Sequence, residues 1–157
     1  MRLRFLWIGK TKNEPIRSLI EDYLQRIRHW VPCDVIETRN LARKRSLKSD
    51  VLIVAEAEEL KKHLGESTRL VALDEKGTQY TSSAFSRWLQ SEMNRGSRSI
   101  TFVIGGPEGL SSGISEGADM VLSMGKMTWT HEMCRVLLLE QIYRVFCILH
   151  GIPYHKA

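Results

Sequence analysis

A chain of 157 residues, 43% hydrophobic and 26% charged, is long enough to bury one real core and too short for two, so it reads as a single domain over residues 1–157. A net charge of +5 suits a polyanionic partner without requiring one. Met1 runs straight into a strand pattern with no leader-like segment, and no apolar run is long enough to cross a bilayer, so a cytoplasmic protein with no membrane partner is expected.

Leu3, Phe5 and Trp7 alternate with Arg2, Arg4 and Leu6, which predicts a first strand ending at Gly9. Asn13 is a good N-cap, with Glu14 and Pro15 in the first turn. Ile16, Leu19, Ile20, Tyr23, Leu24 and Ile27 follow at helical spacing, predicting an amphipathic helix that stops before Pro32. Val35-Ile36 carry a short second strand. Between positions 39 and 48 the chain collects Arg39, Arg43, Lys44, Arg45 and Lys48. Such a run is either a solvated loop or a contact to nucleic-acid phosphates, and the residues alone leave both open.

Ile53, Ala57, Leu60 and Leu64 mark the next helix, closed by Gly65. The continuous apolar run Leu70-Val71-Ala72-Leu73, ending at Asp74, has the make-up of a parallel strand covered on both faces. Asp74 either caps the loop that follows or holds a ribose hydroxyl. Ser82 or Ser83 caps a helix with Phe85, Trp88, Leu89 and Met93 on one face, ending near Gly96, with Trp88 read as core. A β-rich run over 100–104 is stopped by Gly105-Gly106-Pro107. A second run over 120–124 leads through Gly125, Lys126, Met127, Thr128, Trp129 and Thr130 into a long helix reaching about Leu149.

Strands alternating with helices predict an α/β fold with a mostly parallel sheet and helices on both faces. Two glycine-bearing loops then leave the ends of neighbouring strands, where open α/β sheets bind ligands. No GxGxxG follows the first strand and no P-loop is present, so a nucleotide-like ligand would bind late in the chain. His29, His63, His131, His150 and His155 are scattered and no CxxC exists, so no metal is expected. Cys33, Cys134 and Cys147 are odd in number and widely spaced, as reduced thiols would be. No GxSxG elbow supports a hydrolase. Val136, Leu137, Leu138, Leu139, Ile142, Tyr143, Val145, Phe146, Ile148 and Leu149 cover more than one face of the last helix, which must be buried either in the core or in a subunit interface.

Val103-Ile104-Gly105-Gly106-Pro107-Glu108-Gly109-Leu110, Leu122-Ser123-Met124-Gly125-Lys126-Met127-Thr128 and His131-Glu132-Met133-Cys134-Arg135-Val136 together resemble the RlmH family of SPOUT-class methyltransferases. Trp7-Ile8-Gly9-Lys10, Leu139-Glu140-Gln141-Ile142-Tyr143-Arg144 and Pro153-Tyr154-His155-Lys156 extend the likeness over essentially the whole chain. The resemblance implies a C-terminal trefoil knot, which no pattern reading could supply. It also implies a homodimer that uses S-adenosylmethionine to methylate N3 of a pseudouridine in 23S large-subunit ribosomal RNA, on assembled ribosomes.

By the same similarity the cofactor contacts fall on Leu73, Gly105, Met124, Gly125, Lys126, Met127, Thr128 and Trp129. Leu73, Met124 and Met127 would flank an adenine, although methionines also serve as plain core filler. Candidate catalytic residues are Tyr154, His155, Arg135 and His131. Tyr154 and His155, in the tail beyond Gly151-Ile152-Pro153, are favoured as the pair facing the substrate, with one subunit's tail completing the other's site. Arg135 would meet RNA phosphate or the partner subunit, or pair with Glu132. One departure stands out: the family often has proline before His131, and this chain has Thr130. An RNA-binding assembly factor that no longer methylates, and a related enzyme acting on transfer RNA, are the competing readings.

Overall fold

The structure, a computed structural model, describes residues 1–41, 48–65 and 68–155. Arg43, Lys44 and Arg45 of the basic run and Lys156 of the tail lie outside the described residues. Five strands, β1 (Arg2–Ile8), β2 (Cys33–Thr38), β3 (Thr68–Gln79), β4 (Ser99–Ile104) and β5 (Met120–Ser123), form one sheet in the order β2-β1-β4-β3-β5. Every pairing in it is parallel. The helices are α1 (Glu14–Ile27), α2 (Ser49–Lys61), α3 (Ser82–Asn94), α4 (Ser112–Glu116) and α5 (His131–Leu149). This is the expected α/β class.

The sheet is covered on both faces, so the central stretches of its inner strands, over residues 5–8, 70–73 and 102–104, are apolar runs, while Arg2 and Arg4 open β1 at its more exposed start. On β1, Leu3, Phe5 and Trp7 belong to the larger core cluster, under α1, α3 and α5. Leu6 and Ile8 point the other way, into a smaller cluster with Ala57 and Leu60 of α2, Val103 and Ile114. Phe102 stacks on Phe5 at 5.6 Å and meets Phe85 edge-on at 6.5 Å. Each such buried ring contributes about 2–3 kcal/mol of hydrophobic burial.

Several boundaries differ from the sequence reading. The second strand runs over Cys33–Thr38, beyond Val35-Ile36. Leu52, Glu56, Ala57 and Leu60 form the buried face of α2, which begins at Ser49 and ends at Lys61 instead of running to Gly65. Thr81 caps α3, its hydroxyl accepting from the Ala84 N–H at 3.1 Å, so Ser82 opens the helix. α4 carries no periodic signal and was not expected. The strand through Leu70-Val71-Ala72-Leu73 is also longer: it bulges over residues 74–77 and resumes at Thr78, so that Leu73 and Thr78 both pair with Leu122. Gly77 allows this, since a Cβ there would lie 2.7 Å from the Val121 carbonyl. Asp74 takes the capping role, accepting from the Lys76 N–H at 2.9 Å.

α5 is wedged between α1 and α3 on the sheet, with Leu138, Leu139, Ile142 and Val145 fully buried. Its broad apolar surface is therefore largely accounted for within one protomer.

Candidate functional site

At the C-terminal ends of β3, β4 and β5 the chain encloses a cavity of about 700 Å³. β3 contributes Leu73 and its bulge, Asp74, Glu75 and Lys76. β4 delivers Ile104 and the 105–110 turn. β5 delivers Leu122, then Met124, Gly125, Met127, Thr128, Trp129 and Thr130, and α5 closes the wall with His131 and Cys134.

Local chemistry shapes both loops. In the first, the Gly109 N–H donates to the Gly106 carbonyl at 3.0 Å, and the chain doubles back so tightly that a Cβ on Gly105 would fall 2.4 Å from the Gly109 oxygen. Only glycine fits there. In the second, Ser123 Oγ donates to the Gly125 carbonyl at 3.0 Å and accepts from the Gly125 N–H at 3.2 Å. Gly125 has φ +135 and open space where a Cβ would stand, leaving its main chain accessible. Thr128 Oγ1 donates to Glu75 Oε2 at 3.1 Å, tying this loop to the β3 bulge.

Thr130 caps α5: its φ of −63 is the angle proline would impose, and its hydroxyl also accepts from the Met133 N–H at 3.3 Å. The departure from proline keeps the backbone angle and adds a hydrogen bond.

Of the residues expected to hold a cofactor, Leu73, Gly105, Met124, Gly125, Met127, Thr128 and Trp129 line this one cavity, whereas Lys126 does not. Met127 is 75% exposed, so it fills no core, while Met124 is half-buried against the main cluster. A smaller cavity of about 370 Å³ adjoins, sharing Leu122, Met124, Gly125 and Trp129 and reaching Tyr80, Ser82 and Gln141.

The four candidate catalytic residues are not brought together within the protomer. His131 faces the cavity, and burial, then the nearby Arg135, push its pKa down, which favours a neutral imidazole. Arg135 is fully buried beneath the site. Its guanidinium donates to Thr11 Oγ1 at 2.8 Å and to the Ile8 carbonyl at 2.7 Å, and stands 5.0 Å over the Trp7 ring. Burial lowers its pKa to about 10. In the protomer it therefore meets neither solvent nor a phosphate, and it braces α5 against β1. Glu132 accepts instead from the Lys12 and Asn13 N–H groups, at 3.0 and 3.3 Å.

Tyr154 and His155 lie past the far end of α5. The Tyr154 hydroxyl donates to Glu140 Oε1 at 3.2 Å, and its ring stacks edge-on with Tyr143 at 4.8 Å under the Arg144 guanidinium. Burial, the nearby Tyr23 hydroxyl and the Glu140 charge raise its pKa, so the phenol stays protonated. His155 Nδ1 is buried without a hydrogen-bond partner among the described residues.

The sequence reading missed Glu75, Pro107, Glu108 and Leu110 of the cavity wall, and Cys134, whose thiol burial pushes up and so makes unreactive. Pro107, Glu108 and Leu110 were signalled by the Gly-Gly-Pro turn that begins at Gly105. Glu75 and Cys134 carried no local signal. Among the described residues no three His, Cys, Asp or Glu side chains gather as metal ligands, and no helix is long and apolar enough to cross a membrane.

A family model described as predicted SPOUT methyltransferase matches residues 1–155. The ribosomal RNA large subunit methyltransferase H of Geotalea daltonii is 39% identical over 155 residues, covering 99% of both chains. That of Geobacter metallireducens is 38% identical over 157 residues, covering 100% of both. A crystal structure of a probable methyltransferase from Bordetella pertussis Tohama I, 11% identical, aligns with a TM-score of 0.55 over 92% of this chain and 95% of that one, a likeness of fold. On these full-length matches, the chain belongs to the RlmH family of SPOUT methyltransferases.

Proposed function

We propose that this protein transfers a methyl group from S-adenosylmethionine to N3 of a pseudouridine in 23S ribosomal RNA, acting in the cytoplasm as a homodimer on assembled ribosomes. The whole chain would serve as one catalytic domain whose C-terminal part forms a trefoil knot. The observation that carries the reading is the single cavity made by the ends of β3, β4 and β5, lined by nearly all the residues the family likeness assigns to the cofactor. Membership of a family whose relatives are named ribosomal RNA methyltransferases supports the substrate class.

The cavity suits such a cofactor on its own chemistry. Leu73, Ile104, Leu122 and Met124 form an apolar wall for a purine, Asp74 and Glu75 offer carboxylates to hydroxyl or ammonium groups, and Gly125 leaves its main chain within reach. When bound, S-adenosylmethionine supplies a methyl group already activated by its sulfonium. What remains for the protein is alignment, exclusion of water and handling of the N3 proton. His131, held neutral at the cavity wall, is suited to accept that proton at an imidazole nitrogen. Tyr154, held protonated, is not suited to remove that proton; its O–H donates to Glu140 and would serve the base only by exchanging that partner for it.

Distance supports the dimer. α5 has 19 residues and so spans about 28 Å, with His131 at one end and Tyr154 and His155 beyond the other. A tail that acts at the cavity must come from a second copy. Mixing a Gly125→Arg subunit, blocked at the cavity, with a tail-truncated subunit should restore methylation in the mixed dimer; no restoration would show that each subunit is self-sufficient.

The decisive experiment is methyl transfer from labelled S-adenosylmethionine to ribosomes from cells lacking the gene, compared with protein-free RNA and with transfer RNA, followed by mapping of the labelled nucleotide. Label at one pseudouridine, on particles only, is the expected result. Cofactor binding without transfer would favour an RNA-binding assembly factor, and label on transfer RNA would favour the related tRNA enzymes.

A further inference from the structure

Glu56, midway along α2, is 2% exposed, and neither carboxyl oxygen has a hydrogen-bond partner among the described residues. Its neighbours on the helix, Ala57 and Leu60, pack into the small core cluster, while the carboxyl reaches beneath the 105–109 turn. A Cβ on Gly106 would lie 2.7 Å from Oε2 and 2.8 Å from Oε1, so the main chain of the turn rests directly on this group. The same turn lines the cavity at Gly105, Gly106 and Glu108, and Glu56 does not.

Electrostatics describe the same contact. Burial raises the Glu56 pKa above the ordinary carboxylate range and the Glu108 charge adds to this, while the Gly106 N–H, which approaches without reaching hydrogen-bonding geometry, partly opposes it. A buried polar group left unpaired is costly, and an apolar side chain would serve α2 better as packing. Unsatisfied groups of this kind are rare and call for a reason.

We propose that Glu56 is a positioning residue: its buried carboxyl props the 105–109 turn from beneath and sets where the main chain of that turn meets a ligand in the cavity above. The inference rests on the cavity being the S-adenosylmethionine site. Glu56 touches no ligand itself. It acts through Gly106, and only a side chain of its length and planar end fills the gap under a residue that has none.

Calorimetric titration with S-adenosylhomocysteine tests it on wild type, Glu56→Ala, Glu56→Gln, Gly106→Ala and the double variant Glu56→Ala/Gly106→Ala, with thermal unfolding run alongside to verify that each is folded. Glu56→Ala should bind about tenfold more weakly, and Glu56→Gln, of the same shape and always neutral, should bind close to wild type. Gly106→Ala should also weaken binding, because its Cβ enters occupied space. The double variant should bind more tightly than Gly106→Ala alone, because the new methyl fills the space the carboxyl has left. In turnover, Glu56→Ala should raise the KM for S-adenosylmethionine and leave kcat nearly unchanged. Wild-type affinity in folded Glu56→Ala, or effects of the two single changes that simply add, would overturn the proposal while leaving the cavity assignment intact. Failure of the wild-type protein to bind would overturn both.

Discussion

At the N-terminal ends of the strands, Glu92 of α3 is 1% exposed and accepts hydrogen bonds from Arg69 Nε at 3.0 Å, Arg95 Nη1 at 3.1 Å and Ser97 Oγ at 2.7 Å. At the C-terminal ends, Glu56 of α2 is buried as deeply and accepts none among the described residues. The first network continues to Asp119, which accepts from Arg69 and from the Leu70 N–H at 2.8 Å, so the start of β3, the end of α3 and the approach to β5 are tied together. The second end has glycine turns and a cavity where those ties would be. One end of the strands is locked by paired charge; the other is held by hydrogen bonds within and between its loops and presents Asp74, Glu75 and Glu108 at the cavity wall. Stability and binding are thereby assigned to opposite ends of the same strands.

The two carboxyls also titrate in opposite senses. The Arg69 hydrogen bond, more than any other cause, holds the Glu92 pKa low, so its contribution is present above the unfolded glutamate value of about 4.3 and is lost as pH falls through the lower folded value. Burial raises the Glu56 pKa, so stability falls as pH rises from about 4.3 toward the higher folded value.

Substitutions at either end of the strands test this division. The largest effect is expected from Gly105→Ala, which drives a Cβ to 2.4 Å from the Gly109 oxygen. Strain of about 1–3 kcal/mol falling on the cavity turn should weaken S-adenosylhomocysteine binding by roughly 10- to 100-fold in calorimetry, and near-normal affinity would show that the turn can re-form without glycine. Glu92→Ala comes next. It should lose about 2 kcal/mol in urea unfolding at pH 7, Arg69 and Arg95 being exposed enough to regain water, and should flatten the acid limb of the stability profile without changing cofactor affinity. Glu56→Leu should do the reverse: stability at pH 7 unchanged or raised by about 1 kcal/mol, a flatter profile above the unfolded glutamate value of about 4.3, and weaker binding. If it destabilises as Glu92→Ala does, the contrast between the two ends fails. Thr130→Ala should cost about 1 kcal/mol through loss of the cap, and Thr130→Pro should leave α5 in place because φ is already −63. A melting shift larger for proline than for alanine would mean that the Thr130 N–H has a role of its own.

Much of this architecture is legible in the chain because it follows from local rules. The α1 cap is one case: Asn13 accepts from the Ile16 N–H at 3.1 Å as the Asn-Glu-Pro start predicts. The parallel class follows from apolar runs between helical patterns, and the glycine turns fall where strands end. Other features fail locally for identifiable reasons. Thr81, Ser82 and Ser83 are all competent caps, and only the position of the Ala84 N–H chooses Thr81. α4 has five residues, too few for a period to register. The β3 bulge is decided by close approach to β5 at Gly77.

The class of fold, the order of every element except α4, the two glycine-bearing loops at the cavity and, through resemblance, the family can all be read from the chain alone. Which charged side chains are inside, and what they meet, is set only by the folded chain. Arg135 looks like a surface residue on a helix until it is seen bonded to Thr11 and Ile8, 124 and 127 residues earlier in the chain. Glu56 reads as one more acid among Glu58 and Glu59 until α2 is laid beneath the turn. Hydrophobic period and capping are properties of neighbours within a few residues, whereas the burial and pairing of a charge depend on groups that only the folded chain brings within hydrogen-bonding distance.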